Sequence, residues 1–388
     1  MSEKLSAALA YHKKYRGKLT VRPHAPLSNN DDLLLAYTPG VAEPCLEIAR
    51  NGDLAFEYTL KSRVVAIVTD GSAVLGLGNI GALAALPVME GKAALLYKFA
   101  GIEAFPITLD TQDEIEIIKA VKTIAPTFAA IMLEDIAAPK CVMIERILQE
   151  ELPIPVFHDD QHGTAIVVGA AVINAYRLLK RPLKDVRAVV CGTGAAGNSV
   201  MRMLKKIGVG SIVAYNKDGV LSFDKYERYD FVIRELIEHG IIDNPERGID
   251  SLADLLKGRD LFVGVSAPNL LSAKMVASMA PDPVIFALAN PTPEIDPLLA
   301  HAGGAAIIGT GRSDFPNQIN NVLVFPGLMK GLLEARAKTV TEGMKLAACK
   351  ALAGMIPVPE LRADHILPGI FDDRVVDIVK NAVIAEVK

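Results

Sequence analysis

Cysteine is scarce here and never paired along the sequence. Four residues, Cys45, Cys141, Cys191 and Cys349, are spread over 388 positions without a C-x-x-C. Such spacing excludes a disulfide-stapled scaffold, and the thiols read as packed side chains in a reducing compartment. An excess of one charge is missing too. Lys and Arg number 41 against 45 Asp and Glu, giving a net charge of −4 and a pI of about 6.0. That balance argues against a nucleic-acid or anionic-membrane surface. No secretory leader is recognisable, because MSEKLSAALAYHKKYRGK has an acid at Glu3 and no apolar core of the needed length. The expected compartment is the cytoplasm. One long uncharged run, residues 71–89, is interrupted by Gly71, Gly76, Gly78, Asn79, Gly81 and Pro87. It suits a buried, turn-rich segment and not a lipid-exposed helix, so no membrane association is expected. There is no internal repeat and no low-complexity tract.

What is present is an ordinary soluble composition, 51% hydrophobic and 22% charged, long enough for two or three domains. Within it, two apolar runs stop on paired acids. AAIMLEDIAAPK places Glu134 and Asp135, and PIPVFHDDQHG places Asp159 and Asp160. Short apolar runs bounded by Pro or polar residues read as buried parallel strands. Ligands bind at the carboxyl ends of such strands in an open α/β sheet. Adjacent carboxylates repel one another, so a fold tolerates them best around a cation.

The surrounding pattern alternates strand and helix. Strands are expected at 64–70, 101–110 and 128–133, with a helix over 112–125, which makes an α/β unit with its own parallel sheet. Residues 163–179 are apolar nearly all round and read as a buried helix bridging two domains, ended by Pro182. A strand–turn–helix–strand unit follows, from VRAVVCGTGAAG to SIVAYN at 211–216. Further strands are expected at 260–266, 283–290 and 305–311, then a helical tail from Met329 broken near MIPVPE. The division is 1–160 for the first domain and 161–388 for the second, whose last helices can pack back on the first.

Gly192, Gly194 and Gly197 form G-x-G-x-x-G inside that βαβ unit, with Thr193, Ala195 and Ala196 between them. The first glycine allows the tight turn, the second lets backbone approach a pyrophosphate, and the third lets helix and strand pack closely. A dinucleotide is the expected ligand. Where an acid would bind the ribose 2′-hydroxyl of NAD, this chain has Asn216 and then Lys217, with Asp218 nearby. An amide does not repel a 2′-phosphate and a lysine attracts one, so both NAD and NADP stay open.

Glu134, Asp135 and Asp160 offer three hard oxygen ligands. Without a Cys or His cluster at zinc spacing, Mg²⁺ or Mn²⁺ is the natural cation. His158 and His162 flank Asp159 and Asp160, but neighbours in sequence need not meet at a metal. The competing reading makes each acid pair a helix N-cap.

The chain resembles the malic enzyme family in its short microbial form, over almost its whole length. The motifs that carry the likeness are YTPGVAEPC, TDGSAVLGLGNIG, PVMEGKAAL, LEDIAAPK, FHDDQHGTA, CGTGAAG, ALANPTPEIDP and TGRSDFPNQINNVLVFPG. The resemblance implies a two-domain α/β fold, a Rossmann-type NAD(P)-binding domain behind an N-terminal malic-enzyme domain with a parallel sheet. It implies oxidative decarboxylation of (S)-malate to pyruvate and CO2, with reduction of NAD⁺ or NADP⁺, by a homodimer. Position by position, Tyr37 of YTPGV corresponds to the general acid and Lys92 of MEGK to the general base. Glu134, Asp135 and Asp160 correspond to metal ligands, and Asp159 to the partner that orients Lys92. Asn290, Asn320 and Asn321 correspond to contacts with substrate and the nicotinamide region, with Ser72 a further substrate contact.

These roles are chemically coherent. Malate chelates a divalent cation through its C1 carboxylate and C2 hydroxyl, and the cation's charge eases loss of the hydroxyl proton. Lys92 serves as base near neutral pH only if burial or nearby positive charge lowers its pKa. A tyrosine phenol can protonate the product enol at C3. One departure is Ala73, which stands where larger relatives carry an arginine that contacts malate. The residue gripping the distal carboxylate is then sought among Arg16, Arg22 and Lys61. No acyltransferase-like extension follows, so the minimal enzyme is expected. Two other outcomes compete: conversion of malate to lactate with retained nicotinamide, and a nucleotide-sensing protein without turnover.

Overall fold

In the computed structural model, residues 6–74 and 76–387 are described. Two sheets organise the chain. The first contains β1 (Val64–Thr69), β2 (Glu103–Thr108), β3 (Ala130–Leu133) and β4 (Val156–His158), ordered β2-β1-β3-β4 and parallel throughout. The second contains β5 (Arg187–Cys191), β6 (Ser211–Asn216), β7 (Gly219–Val220), β8 (Leu261–Gly264), β9 (Val284–Ala287) and β10 (Ile307–Thr310). Its order is β10-β9-β8-β5-β6-β7, with only the short β7 edge antiparallel. Every residue of β1, β3, β8 and β9 is buried. That is why these strands read as unbroken apolar runs: helices cover both faces of a parallel sheet.

Strand order reverses beside β1 in the first sheet, and between β5 and β8 in the second. Loops leaving neighbouring strands toward opposite sides open a crevice at the strands' carboxyl ends. The acid pairs follow β3 and β4, and the glycine turn follows β5, so both sit at such ends.

A buried helix, Asp159–Leu178, connects the sheets. It begins directly on the second acid pair, four residues before the apolar stretch that announces it. The expected boundary at 160/161 therefore falls inside this helix. Its small residues admit close neighbours. A Cβ on Gly169 would stand 2.8 Å from both Cys349 Sγ and Met203 Cγ, where helices Ala195–Ile207 and Glu342–Gly354 press on it.

The uncharged run at 71–89 is only half turn. From Ala82 onward it is helical, within Ala82–Ala100, and Pro87 lies inside that helix. Proline removes the hydrogen bond to Leu83's carbonyl. Leu83 is 82% exposed, so water can take the freed oxygen. The tail packs back on the first domain, as helix Phe325–Glu334 lies against the Ala82–Ala100 helix. By contrast, the N-terminal helices Ala7–Tyr15, Asn30–Ala36 and Ala42–Arg50 bury no residue. They leave Leu33, Leu34, Leu35, Tyr37 and Leu46 exposed.

Candidate active site

The Ala82–Ala100 helix points Lys92 at the ends of β3 and β4. There the Lys92 ammonium is paired with Asp159 and, at 3.0 Å, with Glu134 Oε1. Its Nζ also lies 4.6 Å from the centre of the Phe325 ring, a cation–π contact made from the other end of the chain. Burial pulls this amine down, but Asp159, Glu134 and Asp160 outweigh it and raise Lys92 above its usual range. This reverses the shift expected of a base: with only carboxylates as neighbours, the lysine is itself the stabilising cation.

Asp159 folds back over its own helix. A Cβ on Gly163 would stand 1.9 Å from Asp159 Oδ1, so the glycine of HDDQHG makes room for the carboxylate. Asp159 is fully buried, and burial pushes its carboxyl up to about 6 against the opposing pull of Lys92.

Neither acid pair caps a helix. The N-cap positions belong to Pro139 and His158, and neither makes a side-chain cap bond. Asp135 instead turns the chain with φ +55°. Its N–H donates to Asp160 Oδ2 at 2.7 Å, and its carbonyl accepts from Ala73 N at 2.9 Å. One oxygen from each of Glu134, Asp135 and Asp160 lies within 4.8 Å of the others. Glu134 Oε2 is buried without a hydrogen-bond partner. Burial, with Asp160 beside it, drives the Glu134 carboxyl well above the normal range. A buried oxygen lacking a donor, among acids that resist ionising together, fits a divalent cation, and three hard oxygens leave about three of its six positions open. His158 and His162 are turned elsewhere: His158 Nδ1 stays 3.8 Å from Asp160, and His162 bonds Glu145.

The other expected contacts divide. Ser72 is already committed, since its hydroxyl donates to Asp70 Oδ1 at 2.6 Å and accepts from Ala137 N at 2.9 Å. It ties the loop after β1 to the loop after β3, and Lys140 strengthens that tie with a 2.5 Å ion pair to Asp70. Asn320 accepts from Val322 N and caps the short turn Asn321–Leu323. Asn321 Cβ lies 3.1 Å from where a Gly163 Cβ would stand, next to Asp159. A Cβ on Gly76 would be only 1.7 Å from the Asn290 carbonyl oxygen. The glycine loop of the first domain thus reaches the end of the second sheet. Tyr37 is not enclosed with these groups: it lies on the N-terminal arm, 67% exposed. Lys61 is occupied with the Ala125 and Phe128 carbonyls.

Next to this cluster a cavity of about 570 Å³ opens along the glycine turn, lined by Gly192, Thr193 and Gly194. Asn216 and Lys217 border it, with Ala138 and Pro139 of the acid-bearing loop on the far side. The three glycines differ in what they need. Gly192 has φ +107°, and a Cβ on Gly197 would stand 1.9 Å from the Gly192 carbonyl oxygen. At Gly194 nothing comes nearer than 3.9 Å, which leaves open space where a pyrophosphate must approach. The helix Ala195–Ile207 starts there without a side-chain cap, so its first N–H groups face that space. Asn216 is engaged locally, bonded to Thr193 Oγ1 and to Asp218 N. Arg228 and Tyr229 also line the cavity. They come from the end of the short 3₁₀ helix Phe223–Arg228 after β7, where no periodicity marks them in the sequence. Gly197→Ala should raise the dissociation constant for reduced nicotinamide dinucleotide at least about tenfold, because a backbone contact must give way. Fluorescence titration measures this, and an unchanged constant would contradict it.

Comparison with known proteins agrees with this arrangement. Residues 16–117 match a family described as malic enzyme, N-terminal domain, and residues 259–387 one described as malic enzyme, NAD binding domain. A bifunctional malic/malolactic enzyme of Bacillus subtilis is 48% identical over 376 residues, covering 97% of this chain and 91% of that protein. An NAD-dependent malic enzyme of Geobacillus stearothermophilus is 48% identical over 368 residues, 95% of this chain and 76% of that protein. The crystal structure of an NAD-dependent malic enzyme from Thermotoga maritima superposes with a TM-score of 0.93 at 45% identity, covering 98% of this chain and 99% of the other.

Proposed function

The chain belongs to the malic enzyme family, and from that membership we propose how its residues divide the work on malate. The reaction is the oxidative decarboxylation of malate to pyruvate and CO2 with NAD(P)⁺ as oxidant. Glu134, Asp135 and Asp160 would hold Mg²⁺ or Mn²⁺, which would supply Lewis acidity that eases loss of the C2 hydroxyl proton and of CO2. Gly192, Gly194 and Gly197 would hold the dinucleotide, which would supply the acceptor for the hydride leaving malate C2. Lys92 takes the C2 hydroxyl proton, and Asp159 fixes its direction. The observation that carries this is one buried network, in which Lys92 contacts both Asp159 and Glu134 at the ends of β3 and β4, while Ala138 and Pro139 of the loop after β3 line the cavity along the glycine turn.

The raised pKa of Lys92 then has a use. Three carboxylates keep the amine protonated. Neutralising the charge on Glu134 and Asp160 would withdraw two of those three influences and lower the amine, while Asp159 would still raise it. Proton acceptance is thereby tied to a loaded site. Tyr37 donates the final proton to C3. We assign the exposed face of Leu33, Leu34, Leu35, Tyr37 and Leu46 to the contact of a homodimer, which would take this tyrosine out of solvent. No described helix is long and apolar enough to cross a membrane, and all four cysteines are free. We place the protein in the cytoplasm.

The test is to supply (S)-malate, Mn²⁺ and either NAD⁺ or NADP⁺, following reduced nicotinamide, pyruvate and lactate together. Equal amounts of reduced cofactor and pyruvate are expected. Lactate without net reduced cofactor would support the malolactic alternative, an activity named in the Bacillus subtilis relative. No product at all would overturn both readings.

A further inference from the structure

Glu145 is a carboxylate that the reaction as described does not use, yet it is 3% exposed and lies behind the acid-bearing turn. A buried charge is costly unless fully hydrogen-bonded. Here four side-chain and backbone donors converge on it. Its Oε1 accepts from His158 N at 2.9 Å and from Gln149 Nε2 at 3.2 Å. Its Oε2 accepts from Gln161 Nε2 at 3.0 Å and from His162 Nε2 at 2.9 Å. Three of these donors, at 158, 161 and 162, bracket Asp159 and Asp160 on both sides.

The orientation of His162 follows from its other neighbour. Lys345 Nζ lies 3.3 Å from His162 Nδ1. An ammonium can only donate, so Nδ1 accepts and the Nε2 proton points at Glu145. Lys345 is in turn paired with Glu342, which takes a 2.8 Å bond from Lys206. The strand-to-helix turn is thus pinned from the helix Lys140–Glu151 on one side and from helix Glu342–Gly354 on the other.

We propose that Glu145 is a positioning residue for the reaction: by gripping His158, Gln161 and His162 it fixes where Asp159 meets Lys92 and where Asp160 meets the cation. The proposal rests on the roles assigned above to Asp159 and Asp160. Glu145 touches neither substrate nor cofactor. Its effect is therefore confined to the groups on the turn it holds, and the glycine turn on the second sheet lies outside that grip.

The test uses Glu145→Gln, which keeps the volume and removes the charge. Mn²⁺ affinity is measured by calorimetry without malate or dinucleotide, alongside melting in EDTA, kcat, and KM for the dinucleotide. Outer partners of metal ligands typically govern affinity or activity by about 10–100-fold. The expected result is a rise in the Mn²⁺ dissociation constant and a fall in kcat, each at least about fivefold, with dinucleotide KM within about twofold. Smaller changes in folded protein overturn the proposal. So does a dinucleotide KM that worsens as much as metal affinity, since that signals general loosening. Asp160→Asn is run in parallel. If it loses Mn²⁺ while Glu145→Gln does not, the clamp alone fails. If Asp160→Asn binds Mn²⁺ like the parent protein, the metal reading fails and takes the clamp with it. Should Glu145→Gln not fold, Gln161→Met removes one donor and leaves the carboxylate satisfied by the others, under the same criteria.

Discussion

Replacing Lys92 by alanine lowers kcat by roughly 10²–10⁴-fold while malate KM changes only a few-fold, the pattern of a lost proton-transfer group. Steady-state kinetics at saturating Mn²⁺ reads both numbers. The split follows from where Lys92 stands. It contacts Asp159, Glu134 and the Phe325 ring, so the substitution removes a reacting group and leaves the three candidate metal ligands in place. A second consequence opposes any explanation by misfolding. Alanine leaves Glu134 and Asp159 without their cation, so Lys92→Ala should melt earlier than the parent in EDTA and recover much of that loss when Mn²⁺ is added. A uniformly destabilised protein would melt early in both. Turnover within about threefold of the parent would remove Lys92 from the role of base.

Asp160→Asn should weaken Mn²⁺ binding by about a hundredfold or more, since it removes one of three anionic ligands from a site that keeps several positions for substrate and water. Calorimetric titration gives the constant directly. The same change should leave the metal-free protein as stable as the parent, or more so. Asp160 raises the carboxyl of Glu134 by repulsion, and an amide ends that repulsion while its carbonyl oxygen can still accept from Asp135 N. A structural role for Asp160 predicts the opposite pair: a lower melting temperature in EDTA and an unaltered metal constant. The two measurements together decide the matter.

How much of this could be read from residues alone depended on whether the signal was local. The strands β1, β3, β5, β6, β8 and β9 were legible because burial on both faces forces unbroken apolar runs. The three glycines were legible because their needs are local: a positive φ, open space and one backbone contact. The helix carrying Lys92 was obscured by its glycine-rich approach and by Pro87, which is tolerated because its turn faces water. Glu145 was invisible for a different reason. In the sequence it is one charge in an amphipathic helix, and only the fold brings residues 158, 161 and 162 onto it. The acids that raise Lys92 are equally hidden in the sequence, as they come from two other strand ends. Arg228 and Tyr229 end the 3₁₀ helix Phe223–Arg228, which is too short to carry a periodic pattern. Ser72, expected at substrate, also joins two loops by donating to Asp70 and accepting from Ala137 N, a tie that only the fold reveals.

The helix Asp159–Leu178 packs along its length against Ala195–Ile207 and Glu342–Gly354, yet its first turn is held to the first sheet. It follows β4 directly, β4 pairs with β3, and Asp135 and Glu145 bond residues 158 to 162. Lys92, Glu134, Asp159 and Asp160 are therefore carried by one sheet, while the far turns of the same helix lie against the helix that leaves the glycine turn. One continuous rod of backbone thus spans the acids and the dinucleotide cavity, and their spacing is set by helical rise and not by a loop.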